Sequence, residues 1–247
     1  MKKSIVVSIQ PTKFSALAFK EDFEKSIKKV ADLGFDGAEL AVRNPKDLKV
    51  EDVIKIIKEN DLEVPAIGTG QAYGEEGLCF SDPDEVIRKM AVERIKDQIV
   101  FASHFDAQVI IGLIRGIIVE SVNKTEAEEW TIDCLRKCTE FAKEYDIGLT
   151  LEPVNRYESN FINTLNEGIE FIKRVGASNL GILADTFHMN IEEVSIYDSI
   201  IQANKKVIET LKKIDYQGYI SAEILPLPDP DSCARLTAKT LDKLNIN

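Results

Sequence analysis

Three acids stand where an acid is costly. Glu152 lies in "LTLEPV", Asp185 in "ILADT" and Glu223 in "SAEIL", each interrupting an apolar run. A carboxylate in such a place must be paired, protonated or bound to a cation. Each one alone could be served by a lysine or arginine of a neighbouring strand. Three at equivalent places argue for a shared use. Hard oxygen donors brought to one point suit Mg²⁺ or Mn²⁺, and an added imidazole shifts the preference toward Mn²⁺ or Co²⁺. His188, one of two histidines, follows Asp185 in "LADTFHMNIEE". Its place just beyond an acid-bearing strand end favours contact with a substrate over a packed core role. Asn190 and the following "IEE" read as a helix start, with Asn190 as its N-cap. His104, near the end of a long helical stretch, reads as structural. In "EPVNRYESNFINT", Arg156 and Glu158 come just after Glu152. They are candidates for recognising a polar substrate, against the alternative of a solvated loop.

These residues need elements to carry them. Short Val/Ile-rich runs at 4–8, 37–42, 63–70, 107–116, 147–154, 180–186 and 218–225 read as strands. Amphipathic runs at 22–34, 50–60, 82–105, 125–145, 164–176 and 231–244 read as helices, with a further helical stretch after 186 as far as Ile214. In the first, Phe23, Ile27, Val30 and Leu33 share a face and Gly34 ends it. "QAYGEEGL" reads as a loop. Regular strand–helix alternation implies a parallel sheet. No Gly/Ser/Pro-rich linker divides it, so residues 1–247 are expected to form a single domain. The sheet is either a closed barrel or doubly wound. No G-x-G-x-x-G follows the first strand, which counts against a dinucleotide fold. Acids at the ends of far-apart strands meet at one mouth in a barrel, which favours the α/β barrel.

Composition narrows the partners. With 247 residues and a net charge of −11, the chain is not expected to bind a nucleic-acid backbone or an anionic membrane unaided. No segment reads as a bilayer span. "MKKSIVVSIQPTKF" has too short an apolar core for a signal peptide and reads as a first strand. The expected place is the cytoplasm. Cys79, Cys134, Cys138 and Cys233 form no disulfide framework and read as reduced core thiols. Cys134 and Cys138 share a helix face, but a zinc site there needs two further ligands.

"LEPVNRYESNFINT", "ILADTFHMNIEE" and "GYISAEILPLPDP", with "AIGTGQAY" and "VIIGLIRG", resemble the D-tagatose 3-epimerase/L-ribulose 3-epimerase group of xylose isomerase-like TIM barrels. The resemblance implies one divalent metal, usually Mn²⁺, held by Glu152, Asp185 and Glu223. It implies that Glu152 and Glu223 flank C3 of a ketose, one removing the C3 proton and the other returning a proton on the opposite face through a cis-enediolate. It implies sugar contacts for His188 and Glu158, a small-molecule ketose as partner and a homo-oligomer. The group has a fourth metal ligand, a histidine on the seventh strand in a run of the type His-x-His-x-x-Asp-x-x-Arg. This sequence has no such run. After Asp198, "SIIQANKKVIETLKKIDYQG" reads as one helix, with Ile200, Ala203, Val207, Leu211 and Ile214 along a face. Strand seven is therefore expected to be missing from the sequence, either as an omitted stretch that leaves a break between about Ser199 and Val207 or as a deletion that leaves the barrel open beside strand six. Other readings are a hydroxypyruvate-isomerase-like or sugar-phosphate isomerase, for which Arg115 and Arg156 would serve a phosphate, and a non-catalytic sugar-binding relative. An endonuclease of the same superfamily is disfavoured by the charge and the scarcity of histidines.

Overall fold

Strands alternate with helices along the chain in a computed structural model that describes residues 1–15, 17–195 and 218–243. The strands are β1 (Lys2–Ser8), β2 (Gly37–Ala41), β3 (Ala66–Gly68), β4 (Gln108–Ile111), β5 (Leu149–Leu151), β6 (Leu180–Ile182) and β7 (Tyr219–Ala222). The helices are α1 (Phe23–Asp32), α2 (Val50–Glu59), α3 (Gly70–Glu76), α4 (Glu85–Ser103), α5 (Lys124–Lys143), α6 (Leu165–Val175), α7 (Thr186–Glu192) and α8 (Pro230–Lys243). Local signals set their ends. Thr164 and Glu167 form a capping box at the start of α6, and Gly176, at φ 76°, stops it.

The hydrogen-bonded order is β6-β5-β4-β3-β2-β1-β7, and every pairing is parallel. The order runs sequentially around from β1 to β6, and β7 returns to pair with β1. A doubly wound sheet would reverse direction at its switch point. This sheet does not, so it is of the barrel type, with one seam unpaired among the described residues.

Strand register decides which side chains face inward. Val6 pairs with Glu39, flanked by Ile5 with Ala38 and Val7 with Leu40. Ile5, Val7, Ala38 and Leu40 are fully buried in the layer packed against the helices. Val6 and Ala41 point the other way and pack with Leu17 and Phe14. A cavity of about 1820 Å³ is lined by Val6, Glu39, Gly68, Ile110, Thr150, Ile182 and Ser221, one from each strand. A single cavity can touch all seven only if the sheet curls around it.

The seam lies between β6 and β7, each of which has one strand partner among the described residues. β2 is buried along its whole length, whereas Gly181 of β6 and Ser221 of β7 are exposed. Phe187 and Val194 beyond β6, and Leu225 and Leu227 beyond β7, are also exposed. Among the described residues this is consistent with the expected incomplete barrel. The expected continuous helix from Ile200 to Ile214, like the alternative break between about Ser199 and Val207, lies outside the described residues.

Two expectations are corrected. "QAYGEEGL" is not a loop: residues 70–76 form α3, ended by Gly77 at φ 71°. Arg43 pairs with Glu75 at 3.0 Å, and Arg94 grips Glu76 with two bonds of 2.8 and 3.1 Å. Gly74 lets Phe14 pack against the helix, where a Cβ would come within 2.9 Å of the ring. Tertiary contacts override the weak helix propensity of two glycines. Asn190 is likewise not an N-cap. Strand β6 stops at Ile182, so the chain turns earlier, and Asp185 caps α7 through a 2.7 Å bond from the Phe187 N–H.

Candidate active site

Glu152 follows β5 directly, and its N–H continues the ladder by donating to Ile111 O at 3.0 Å. Its carboxyl turns into the cavity because Gly112 opposite has no side chain; a Cβ there would overlap Glu152 Oε2. Behind it sits Arg115, fully buried. Its guanidinium donates to Phe161 O at 3.0 Å, to Gly112 O and Glu152 O at 2.9 Å, and to Ile162 O at 2.8 Å. Burial lowers its pKa to about 10, offset in part by Glu152, Glu167 and Glu158, so it stays charged at neutral pH. These bonds tie β4 and β5 to the loop after Glu152. They also hold Ile162 at φ 60°, a backbone a β-branched residue rarely adopts. Arg115 therefore cannot serve a substrate phosphate, as it is occupied with backbone.

Asp185 divides its oxygens. Oδ1 caps α7, while Oδ2 lies 3.9 Å from His188 Nε2. Glu152, Asp185 and His188 each offer a ligand atom within 4.8 Å of the others, an arrangement that could hold a metal ion. Glu223, just past β7 on the far side of the seam, lines the same cavity but stands outside that close group. It is open to the cavity's water.

A fourth carboxyl, Glu39 of β2, joins them. It is 9% exposed and faces inward. Burial raises its pKa to about 7, against a hydrogen bond with Ser221 of β7 and with a further push from Asp185. Although cavity water reaches Glu223, the surrounding walls still desolvate it, and its pKa rises to about 8, with the charges of Glu39, Asp185 and Glu158 adding to the effect. Glu152 is held well above the ordinary carboxyl range by burial and by Asp185, Glu223 and Glu39, with Arg115 opposing. The set is short of positive charge, and a divalent cation is the simplest counterweight. The donors therefore fit the metal that the resemblance implies. Glu39 carries the same signal as the other three, an acid in the apolar run "GAELAV". It was missed because it lies mid-strand rather than at a strand end.

The loop after Glu152 reaches α7. Asn155, 1% exposed, donates from Nδ2 to Glu158 Oε1 at 2.7 Å and lies 2.8 Å from His188 Nδ1. Glu158 and His188 both line the cavity. Arg156 does not. It is exposed and makes a bidentate pair with Glu192 at the end of α7, its Nη2 2.8 Å from Oε2. Its backbone N–H adds a 2.6 Å bond to the same carboxylate. Glu192 is correspondingly lowered. The four cysteines are buried free thiols and lie away from the acids. No described helix is long and apolar enough to cross a membrane.

Known proteins resemble this chain in sequence and in fold. The Xylose isomerase-like TIM barrel family matches residues 27–205. A D-psicose 3-epimerase of Enterocloster bolteae is 32% identical over 75% of this chain and 64% of its own length. An L-ribulose 3-epimerase of Mesorhizobium japonicum is 29% identical over 81% of this chain and 67% of its own. The chain thus spans less than two thirds of the first relative. A crystal structure of D-psicose 3-epimerase with D-tagatose from Clostridium cellulolyticum H10 superposes with a TM-score of 0.78 at 24% identity, covering 99% of both chains. The matched stretch exceeds half the sequence and the strand order agrees with it: this chain belongs to the xylose isomerase-like TIM barrel family.

Proposed function

We propose that the protein is a divalent-metal-dependent ketose 3-epimerase. The observation that carries this reading is the convergence of Glu152, Asp185 and Glu223 on one cavity, with the first and last pushed up by burial and like charge. Glu152, Asp185 and Glu223 would hold the cation, with Mn²⁺ favoured. When bound, it supplies Lewis-acid stabilisation of negative charge on the sugar oxygens.

The protein's own groups do the proton work. Glu152 and Glu223 come from strands toward the two ends of the sheet, β5 and β7, and enter the same cavity. One carboxylate takes the C3 proton. The C–H electron pair forms the C2–C3 double bond, and charge moves to the C2 oxygen. The opposite carboxyl returns a proton to C3 on the other face. Glu158 and His188 bind sugar hydroxyls. Arg156, paired with Glu192, contributes by fixing α7 and hence His188. A phosphorylated substrate is disfavoured because neither Arg115 nor Arg156 offers a free guanidinium to the cavity.

A second reading is a sugar-binding relative without turnover. It rests on the histidine inventory: His104 and His188 are the two present, and neither stands where the group's seventh-strand ligand would. A chromatographic screen of free ketoses with Mn²⁺-loaded protein separates the two. Interconversion of a C3-epimeric pair supports the proposal. No turnover, with neither bound metal nor a thermal shift on adding Mn²⁺, supports the second reading.

A further inference from the structure

The geometry points to Asn155 as a positioning residue that fixes the proton of the neutral His188 ring on Nε2, making His188 a hydrogen-bond donor to substrate rather than a ligand to the cation. This rests on the proposed sugar site but is testable without it.

The amide of Asn155 can sit only one way round. Its Oδ1 accepts from the Tyr157 N–H at 3.0 Å. Its Nδ2 donates to the Glu158 carboxylate at 2.7 Å, and a carboxylate needs a donor. The same Nδ2 lies 2.8 Å from His188 Nδ1. An amide nitrogen has hydrogens and no acceptor, so Nδ1 must be the acceptor. The neutral ring then carries its hydrogen on Nε2, which faces Asp185 Oδ2 at 3.9 Å across a gap. Asn155 is buried, so water cannot readily substitute for it.

Distance alone would allow the rival assignment, because His188 lies within ligand reach of Glu152 and Asp185. A histidine that ligates a metal through Nε2 must carry its hydrogen on Nδ1, and normally gives it to a carboxylate or carbonyl. Here Nδ1 meets an N–H donor instead. Ligation would set two hydrogens against each other in a buried place. The donor role has no such conflict and leaves the Nε2–H, on the Asp185 side of a ring that lines the cavity, for a sugar oxygen.

The test is ¹⁵N NMR of the histidine side chains at mildly alkaline pH, simplified by there being two histidines. His188→Gln assigns the signals, and His104 reports on the fold. We expect Nδ1 of His188 to resonate as an unprotonated nitrogen and Nε2 as a protonated one, unchanged on adding Mg²⁺ as a diamagnetic probe. Asn155→Asp presents an acceptor in the same shape and should move the proton to Nδ1. Asn155→Ala should give a mixture of the two forms and, if the ketose reading holds, raise KM about tenfold with a smaller change in kcat. A protonated Nδ1 in the unaltered protein, or loss of the Nε2 proton on adding Mg²⁺, would overturn the inference. So would an unchanged pattern in N155D with the His104 signal intact. If N155D does not fold, N155A decides in the same way. Absence of ketose turnover alongside the expected NMR pattern would count against the function, not against Asn155.

Discussion

Without a bound cation this protein should become less stable as pH rises, and Glu39 lets the size be worked out. In the unfolded chain its carboxyl titrates near 4.5; in the fold it titrates at about 7. Between those values the folded state binds more protons than the unfolded one, so stability falls with rising pH. Below 4.5 both states are protonated and Glu39 has no effect; above about 7 its full cost is present. The difference of about 2.5 in pKa corresponds to about 3 kcal/mol, and for a chain of this length about 2–4 °C in Tm per kcal/mol. Glu152 titrates in the same sense, so the wild type should show a larger total, and the difference from Glu39→Gln isolates Glu39. Urea unfolding in chelator, repeated across this pH range, measures it. E39Q should match the wild type at the acidic end and exceed it by about 3 kcal/mol at the alkaline end. Mn²⁺ at about 100 times its Kd should restore about 2.7 kcal/mol at any one pH, and its affinity should rise with pH as it displaces protons. Metal-free stability that is flat or rises across the range, with E39Q no better than wild type, would refute the reasoning.

Gly112→Ala should fold but bind Mn²⁺ at least tenfold more weakly, because the new Cβ takes the place of Glu152 Oε2; calorimetry of the metal alone reads this. Arg115→Met should cost about 3–5 kcal/mol, since it strands four carbonyls and releases the loop carrying Asn155 and Glu158; urea midpoints measure the loss.

Much of the site was legible because burying charge is expensive. That cost marks Glu152, Asp185 and Glu223 in the sequence without any structure. It marks Glu39 equally, but a mid-strand acid could face either side, and only the register with Val6 sends it inward. The strand alternation was readable from apolar patterning. Helix α3 was not, because its support comes from Arg43 and Arg94, distant in sequence. Asp185 as cap rather than Asn190 depended on where β6 stops, and strand ends are set by partners that local sequence does not name. Arg115 looked like a substrate arginine because position near a strand end does not reveal that a guanidinium is spent on four carbonyls. Arg156 misled for a similar reason, its partner Glu192 lying a helix away.

The claim that Glu152 and Glu223 move a proton at C3 is tested most directly by solvent exchange. Mn²⁺-loaded protein is incubated with a free ketose in deuterated water, and deuterium at C3 is read by NMR. The wild type should place deuterium at C3 and yield the epimer, while folded Glu152→Gln and Glu223→Gln should each place none. Deuterium at C3 at wild-type rates in both variants would contradict it.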